Sequence, residues 1–201
     1  MRKILIISLY LLSCFAYAGD TLEVLKIDTT LVLSPILDKF SAPKNTQLLN
    51  IYDERLRLLD AKTPMNLVYN EKVKSFIDSY LGRNKALISR MLGLKELYFP
   101  LFEQQLDKYA LPLEFKYLAI VESALNPRAK SGSGATGLWQ FMYLTGKEYG
   151  LEATSYMDER QDPLKSTQAA CKYFVKLYDM FGDWNLVLAA YNGGPGYLQR
   201  K

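Results

Sequence analysis

The chain contains no histidine among its 201 residues. Ser–His and Cys–His nucleophile pairs require an imidazole, and so do most catalytic zinc sites. The absence argues against those reaction classes, so acid–base chemistry must depend on carboxylates, hydroxyls or amines.

Long apolar runs are scarce, and the longest lies at the N-terminus. Residues 1–18 combine a short basic head, an apolar run and the small-x-small sequence Ala16-Tyr17-Ala18, which predicts a signal peptide cleaved after Ala18. The run is too short for a permanent span, and no later segment is apolar for long enough. We therefore expect export and no integral membrane span in the mature form. Lipid attachment at Cys14 is the alternative that stays open.

Cysteine is almost absent, with only Cys14 and Cys171. If Cys14 leaves with the leader, no intrachain disulfide can form, although an exported protein could carry one. Cys171 lies between apolar residues at helical spacing, which predicts a small core residue and not a nucleophile.

Charge of either sign is modest. The formal net charge is +4, and loss of Arg2 and Lys3 with the leader leaves about +2. The basic stripe interleaved with aromatics that is typical of nucleic-acid binders is missing, so no nucleic-acid partner is predicted. With 49% hydrophobic and 23% charged residues, the chain suits one ordinary globular core.

Hydrophobic periodicity indicates an all-α fold, since no convincing alternating segment occurs. Asn70 is a predicted N-cap and Gly82 a predicted stop, and Asp162-Pro163 predicts the start of a long helix that ends at Gly182. The other predicted helices cover residues 46–59, 84–93, 100–109, 113–123 and 183–191. The predicted buried stripes are Val73, Phe76, Ile77, Tyr80 and Leu81 in one helix, and Leu164, Cys171, Phe174, Val175 and Tyr178 in the long one.

Glu122 shares a helix face with Phe115 and Leu118. Its carboxyl should therefore be partly desolvated, which raises the pKa of a carboxylic acid and suits a general acid near neutral pH. The alternative is an exposed or ion-paired glutamate, the commoner case for a glutamate on a helix.

A glycine-rich segment, residues 131–137, follows this helix and precedes Trp139, Gln140 and Phe141. Glycines let the backbone approach a ligand closely, and aromatic faces with an amide suit sugar rings. The alternative is that Trp139 and Phe141 belong to the core and that the glycines form a surface loop.

Three ordered motifs resemble the soluble lytic transglycosylase (SLT) domain family. They are Glu122-Ser123-Ala124-Leu125-Asn126-Pro127; Ser131 with Gly134-Ala135-Thr136-Gly137-Leu138-Trp139-Gln140-Phe141-Met142 and Thr145-Gly146; and Ala190-Tyr191-Asn192-Gly193-Gly194-Pro195-Gly196. The resemblance implies a lysozyme-like α-helical domain that acts on peptidoglycan glycan strands in the Gram-negative periplasm or cell envelope. It implies Glu122 as the acid/base and no metal or cofactor. The implied substrate-binding residues are Ser131, Gln140, Met142, Thr145, Tyr191 and Asn192.

The expected organisation is a signal peptide at 1–18, an N-terminal helical region at 19–97 and the catalytic domain at 98–201. The family usually continues past the position of Lys201 into a further tyrosine-bearing segment, so we expect a domain truncated at its C-terminus. Tyr143 stands where the family often has proline, and Gly193 replaces a usual alanine.

The implied reaction cleaves the MurNAc-β-1,4-GlcNAc bond without water and leaves 1,6-anhydro-MurNAc ends. Two alternatives stay open at this point. One is a hydrolase of the goose-lysozyme kind on the same fold, and the other is a non-catalytic protein that binds peptidoglycan.

Overall fold

The computed structural model describes residues 45–199, and the predicted signal peptide and Cys14 lie outside this range. The helices are α1 Asn45–Asp60, α2 Glu71–Leu81, α3 Lys85–Lys108, α4 Leu118–Ser123, α5 Tyr143–Glu148, α6 Pro163–Phe181, α7 Trp184–Gly193 and α8 Pro195–Gln199. Short 3₁₀ turns cover Leu113–Tyr117 and Glu159–Gln161. Between residues 45 and 199, β pairing is limited to isolated bridges, which confirms the all-α prediction. None of these helices combines the length and apolarity that a membrane crossing requires.

The ends of α2 and α6 lie where the sequence predicts them. The Asn70 side chain accepts hydrogen bonds from the backbone N–H groups of Lys72 and Val73, and α2 ends before Gly82. Asp162 caps α6 by accepting from the Lys165 N–H, and Gly182 ends that helix in a left-handed conformation. Each cap satisfies backbone groups that the first or last turn leaves unpaired.

The prediction of two helices at 84–93 and 100–109 is wrong, because α3 runs unbroken through Gly93 and Pro100. An interior proline costs a helix about 3 kcal/mol and a glycine about 1 kcal/mol. Pro100 is exposed, while Phe99 and Phe102 beside it are buried in the core. Burial of such rings supplies enough free energy to keep the helix continuous.

The centre of the molecule is a cluster of aromatic side chains. Trp139 lies 5.0 Å from Phe102 and 5.8 Å from Phe174 between ring centroids, and Phe115 lies 4.5 Å from Phe174. All four residues are fully buried. They join α3, the turn before α4, the residues that follow the glycine-rich segment and α6, so the segment that carries Glu122 packs directly on the core.

The predicted buried stripes need correction at their ends. Leu81, Leu164 and Tyr178 are exposed, and Leu177 is buried instead. Leu81 and Tyr178 lie in the last turns of their helices and Leu164 in a first turn, where the chain leaves or approaches the core. Cys171 is fully buried, as predicted, and burial raises the pKa of its thiol to about 12.

Candidate active site

Glu122 lies near the end of α4, a helix of six residues. The preceding residues Leu118, Ala119 and Ile120 are buried, and they hold the helix against the core. The Glu122 side chain is partly buried, and this desolvation raises the pKa of its carboxyl from 4.5 to about 7. Near neutral pH the group can therefore both donate and accept a proton.

The backbone directly after α4 is strained. Ala124 and Leu125 have φ values of 50° and 58°, a left-handed conformation that costs a residue with a Cβ about 1 kcal/mol. The fully buried Leu125 side chain and the hydrogen bond from the Ala124 N–H to the Ile120 carbonyl (2.8 Å) hold this turn. Backbone strain of this kind is concentrated at functional sites, and here it fixes the direction in which the chain leaves Glu122.

Glu122 lines an open groove of about 420 Å³. The groove brings together three of the predicted site residues, Glu122, Ser131 and Gln140. Its other lining residues are Tyr80, Leu87, Met91, Ile120, Val121, Ser123, Ala124, Ala129 and Lys130. Among the lining residues within 45–199, Glu122 is the only carboxylic acid.

The glycine-rich segment forms a tight turn on one side of this groove. The Ser131 hydroxyl oxygen accepts from the Ala135 N–H at 3.0 Å, and the Ser131 N–H donates to the Ala135 carbonyl at 2.9 Å. Thr136 then bridges to Lys130 and to Phe141. Ser131 therefore shapes the loop as well as lining the groove.

Gln140 is anchored to the same loop. Its side-chain Nε2 donates to the Gly137 carbonyl at 3.0 Å and to the Ala129 carbonyl at 3.3 Å. Its φ of 50° makes it, after Ala124, the second groove-lining residue with a left-handed backbone. Because both Nε2 hydrogens are used within the loop, the oxygen of this amide is the atom left to meet a ligand.

Arg160 supports the glycine-rich segment from behind, a role that the sequence did not indicate. Its guanidinium donates to the Gly134 and Phe141 carbonyls, both at 3.1 Å, and binds both carboxylate oxygens of Asp158. The ion pair holds the pKa of Asp158 below its usual value. At Gly137, with a φ of +88°, a Cβ would lie 1.8 Å from the Arg160 carbonyl oxygen. Glycine is therefore required there by contact as well as by conformation.

The prediction that Trp139 and Phe141 present aromatic surface to sugars is wrong. Their exposed fractions are 0% and 2%, so both rings belong to the core, which was the alternative interpretation. The Trp139 Nε1–H donates to the Thr167 hydroxyl at 2.9 Å, a buried hydrogen bond that fixes the indole. Gln140 lies between these two rings in the sequence. Its side chain lines the groove, whereas the side chains of its two neighbours are buried.

Tyr191 connects the core to the loop. Its hydroxyl donates to the Trp139 carbonyl at 2.6 Å, and its ring packs 5.1 Å from Phe174. Burial and the nearby negative charge of Glu122 both raise the pKa of Tyr191 well above 10. The phenol therefore stays protonated, so it can keep donating to the loop beside Glu122.

The remaining predicted residues do not line the groove described above. Asn192 is half-buried in α7, next to Tyr191. Met142 is 46% exposed and is the N-cap residue of α5, and Thr145 is half-buried within that helix. Tyr143 is the first residue of α5, a position that suits proline, which explains why the helix accepts either residue there.

Three residues of α2 and α3 line the groove and were missed by the sequence prediction: Tyr80, Leu87 and Met91. They precede Glu122 by 30 residues or more, and no local motif marks them. Within residues 45–199, no group of three or more His, Cys, Asp or Glu side chains is arranged to hold a metal ion.

Comparison with known proteins identifies the domain. The family model described as "Transglycosylase SLT domain" matches residues 100–201. Membrane-bound lytic murein transglycosylase D of Escherichia coli is 39% identical over 137 residues, which are 68% of this chain and 30% of that protein. Membrane-bound lytic murein transglycosylase F of Pseudoalteromonas translucida is 35% identical over 112 residues, 50% of this chain and 22% of that protein. Soluble lytic murein transglycosylase of Escherichia coli is 32% identical over 108 residues, 51% of this chain and 17% of that protein.

The chain thus spans about a third of the length of the first of these relatives, or less for the others. The family match begins within α3 and covers α4, the glycine-rich segment, α6 and α7, and hence most of the groove around Glu122. The expected resemblance is confirmed, and the chain belongs to the transglycosylase SLT domain family.

Proposed function

We propose that this chain is a peptidoglycan lytic transglycosylase that cleaves the MurNAc-β-1,4-GlcNAc bond without water, with Glu122 as its acid and base. The observation that carries the proposal is a partly buried carboxyl with a pKa of about 7 on an open groove. Family membership and the names of the relatives support the same activity.

The number of carboxyl groups in the groove favours a mechanism that uses one acid/base group and not two. Most glycosidases that use water employ a pair of carboxylates, whose separation differs between retaining and inverting enzymes. Glu122 is the only acid among the groove-lining residues within 45–199. A single group must then give a proton and later take one back, which requires a pKa close to the working pH.

The proposed steps conserve atoms and protons. The protonated Glu122 donates to the glycosidic oxygen, the C1–O bond of MurNAc breaks, and the GlcNAc C4 hydroxyl leaves. The Glu122 carboxylate then accepts the proton of the MurNAc C6 hydroxyl, whose oxygen bonds to C1 and closes the 1,6-anhydro ring. Ser131 and Gln140 border the position of the sugar, and Tyr191 holds the loop beside Glu122. Met142, Thr145 and Asn192 are proposed to bind more distant parts of the strand.

The location of this activity is also a proposal. The predicted signal peptide and the envelope enzymes named among the relatives favour the Gram-negative periplasm, where peptidoglycan is accessible. The proposed division of the chain remains a signal peptide at 1–18, a helical region at 19–97 and the catalytic domain from 98 onward.

Digestion of purified sacculi followed by mass spectrometry tests the proposal. Released muropeptides should be lighter by one water than the hydrolysis products and should carry 1,6-anhydro ends. Glu122→Gln should abolish release, whereas Glu96→Gln, which removes an exposed carboxylate on α3, should not. Reducing ends in place of anhydro ends would indicate hydrolysis. Sacculus binding without any product would indicate a non-catalytic protein, and unchanged release by Glu122→Gln would refute the role of that residue.

A further inference from the structure

The groove beside Glu122 has a side that lies outside the family match. The match begins at residue 100, whereas Tyr80, Leu87 and Met91 come from α2 and the first half of α3. These residues share one groove with Glu122, Ser131 and Gln140. The helices that precede the matched region therefore form part of the site itself.

Tyr80 is the aromatic residue of this groove. Within the described residues, no other aromatic side chain lines it, because Trp139 and Phe141 are buried in the core. Tyr80 is half-buried and packs against the core, which restricts the orientation of its ring. Met91, 3% exposed, lies in the same wall, and Leu87 is 38% exposed.

Charge distinguishes the two sides of the groove. The charged lining residues are Glu122 of α4 and Lys130, which directly precedes the glycine-rich segment, whereas α2 and α3 contribute a phenol, a leucine and a methionine. A wall of this kind suits the apolar C–H face of a pyranose ring, with the phenol hydroxyl at its edge. It does not suit the carboxylates of a stem peptide, since it offers them no cation.

We infer that Tyr80 and Leu87 form a sugar-binding wall that holds one ring of the glycan strand against α2 and α3 beside Glu122. This inference rests on the proposed function, since it takes the glycan strand as the ligand. It assigns substrate contacts to the segment before residue 100, and it makes Tyr80 a binding residue that acts on affinity more than on the chemical step.

Binding of a pentamer of N-acetylglucosamine tests the inference, measured by calorimetry in a Glu122→Gln background so that no turnover occurs. Tyr80→Leu, which removes the ring and keeps an apolar side chain, should weaken binding about five- to tenfold. Tyr80→Phe, which keeps the ring face, should weaken it less. Tyr156→Leu is the matched control, because Tyr156 is 98% exposed and does not line the groove, and it should bind like the parent. Equal affinity of Tyr80→Leu and the parent overturns the inference.

The kinetics of sacculus digestion, taken together with its products, separate this inference from the proposed function. In sacculus digestion by the active protein, Tyr80→Leu should raise KM several-fold with a smaller effect on kcat. If anhydro products appear and neither KM nor pentamer affinity changes in Tyr80→Leu, the inference fails and the proposed function stands. If no anhydro product appears but Tyr80→Leu still weakens pentamer binding, the proposed function fails and the sugar-binding wall stands.

A test on the unaltered ring covers the case in which Tyr80→Leu does not fold. The Tyr80 ring resonances, assigned by comparison with the spectrum of Tyr80→Phe, should shift when the pentamer is added to the parent protein. Resonances that stay fixed at saturating pentamer, or an absence of any pentamer binding by the parent, overturn the inference.

Discussion

Replacing Glu122 by glutamine should stabilise the protein at alkaline pH and not at acidic pH. Burial raises the pKa of this carboxyl from 4.5 to about 7, so the folded protein binds the proton more tightly than the unfolded chain does. Stability therefore falls as pH rises through this interval. The destabilisation caused by burying the ionised carboxylate is absent below pH 4.5, grows between pH 4.5 and 7, and is fully present above about pH 7.

The magnitude follows from the same two values. At about 1.36 kcal/mol for each pKa unit, the difference corresponds to about 3 kcal/mol. Glu122 borders an open groove, and solvent at that groove reduces the cost, so we expect about 2 kcal/mol. Glutamine has nearly the same shape and carries no charge, so it should avoid this cost.

Urea unfolding at pH 4 and pH 8 measures the effect. The free energy of unfolding of Glu122→Gln minus that of the parent should be about 2 kcal/mol higher at pH 8 than at pH 4, so the variant is the more stable protein at pH 8. Other groups titrate equally in both proteins and cancel. Glu96→Gln, at an exposed position, serves as the control and should show no such pH-dependent difference. If the two proteins differ in stability by the same amount at both pH values, the conclusion that burial raises the pKa of Glu122 is refuted.

Three further predictions concern the scaffold of the site, each measured by chemical or thermal unfolding. Gly137→Ala should lower the free energy of unfolding by at least about 2 kcal/mol, because the added Cβ meets the Arg160 carbonyl oxygen. The control Gly132→Ala has open space around its Cβ and should change that free energy by no more than about 0.5 kcal/mol. Equal effects of the two substitutions would contradict the close approach at Gly137. Arg160→Met should lower the free energy of unfolding by about 3 kcal/mol, since it leaves Asp158 and two backbone carbonyls without their buried donor. Unchanged stability would show that the glycine-rich segment does not need the Arg160 guanidinium. Pro100→Ala should raise stability by about 1 kcal/mol through the regained helical N–H, and a loss of stability would mean that the proline is needed in α3.

The parts of the fold with local signals were predictable from sequence. Asn70, Gly82, Asp162 and Gly182 each act through backbone groups within a few residues, so their patterns located the ends of α2 and α6. The break predicted between residues 93 and 100 failed because burial of Phe99 and Phe102 outweighs the local cost of Pro100. Propensity describes an isolated segment and does not include such packing.

The site was predictable to a similar extent. The spacing of Glu122 with Phe115 and Leu118 correctly indicated a desolvated carboxyl, although the single helix predicted over 113–123 is a 3₁₀ turn over Leu113–Tyr117 followed by the short α4. The burial of Trp139 was not evident from its motif, since it depends on packing against Phe102 and Phe174 from two helices. Tyr80 could not be found, because only the tertiary packing of α2 brings it to the groove.

The unbroken course of α3 affects how this protein can be dissected in the laboratory. An expression clone that starts at residue 98 or 100 would begin in the middle of that helix, with Pro100 at or near its new amino terminus. Phe102 and Leu106 would then have to pack from a shortened rod, without the turns that carry Leu87 and Met91. A shortened clone intended to keep the cleft intact should start upstream of Asn70, so that α2 and the whole of α3 are retained.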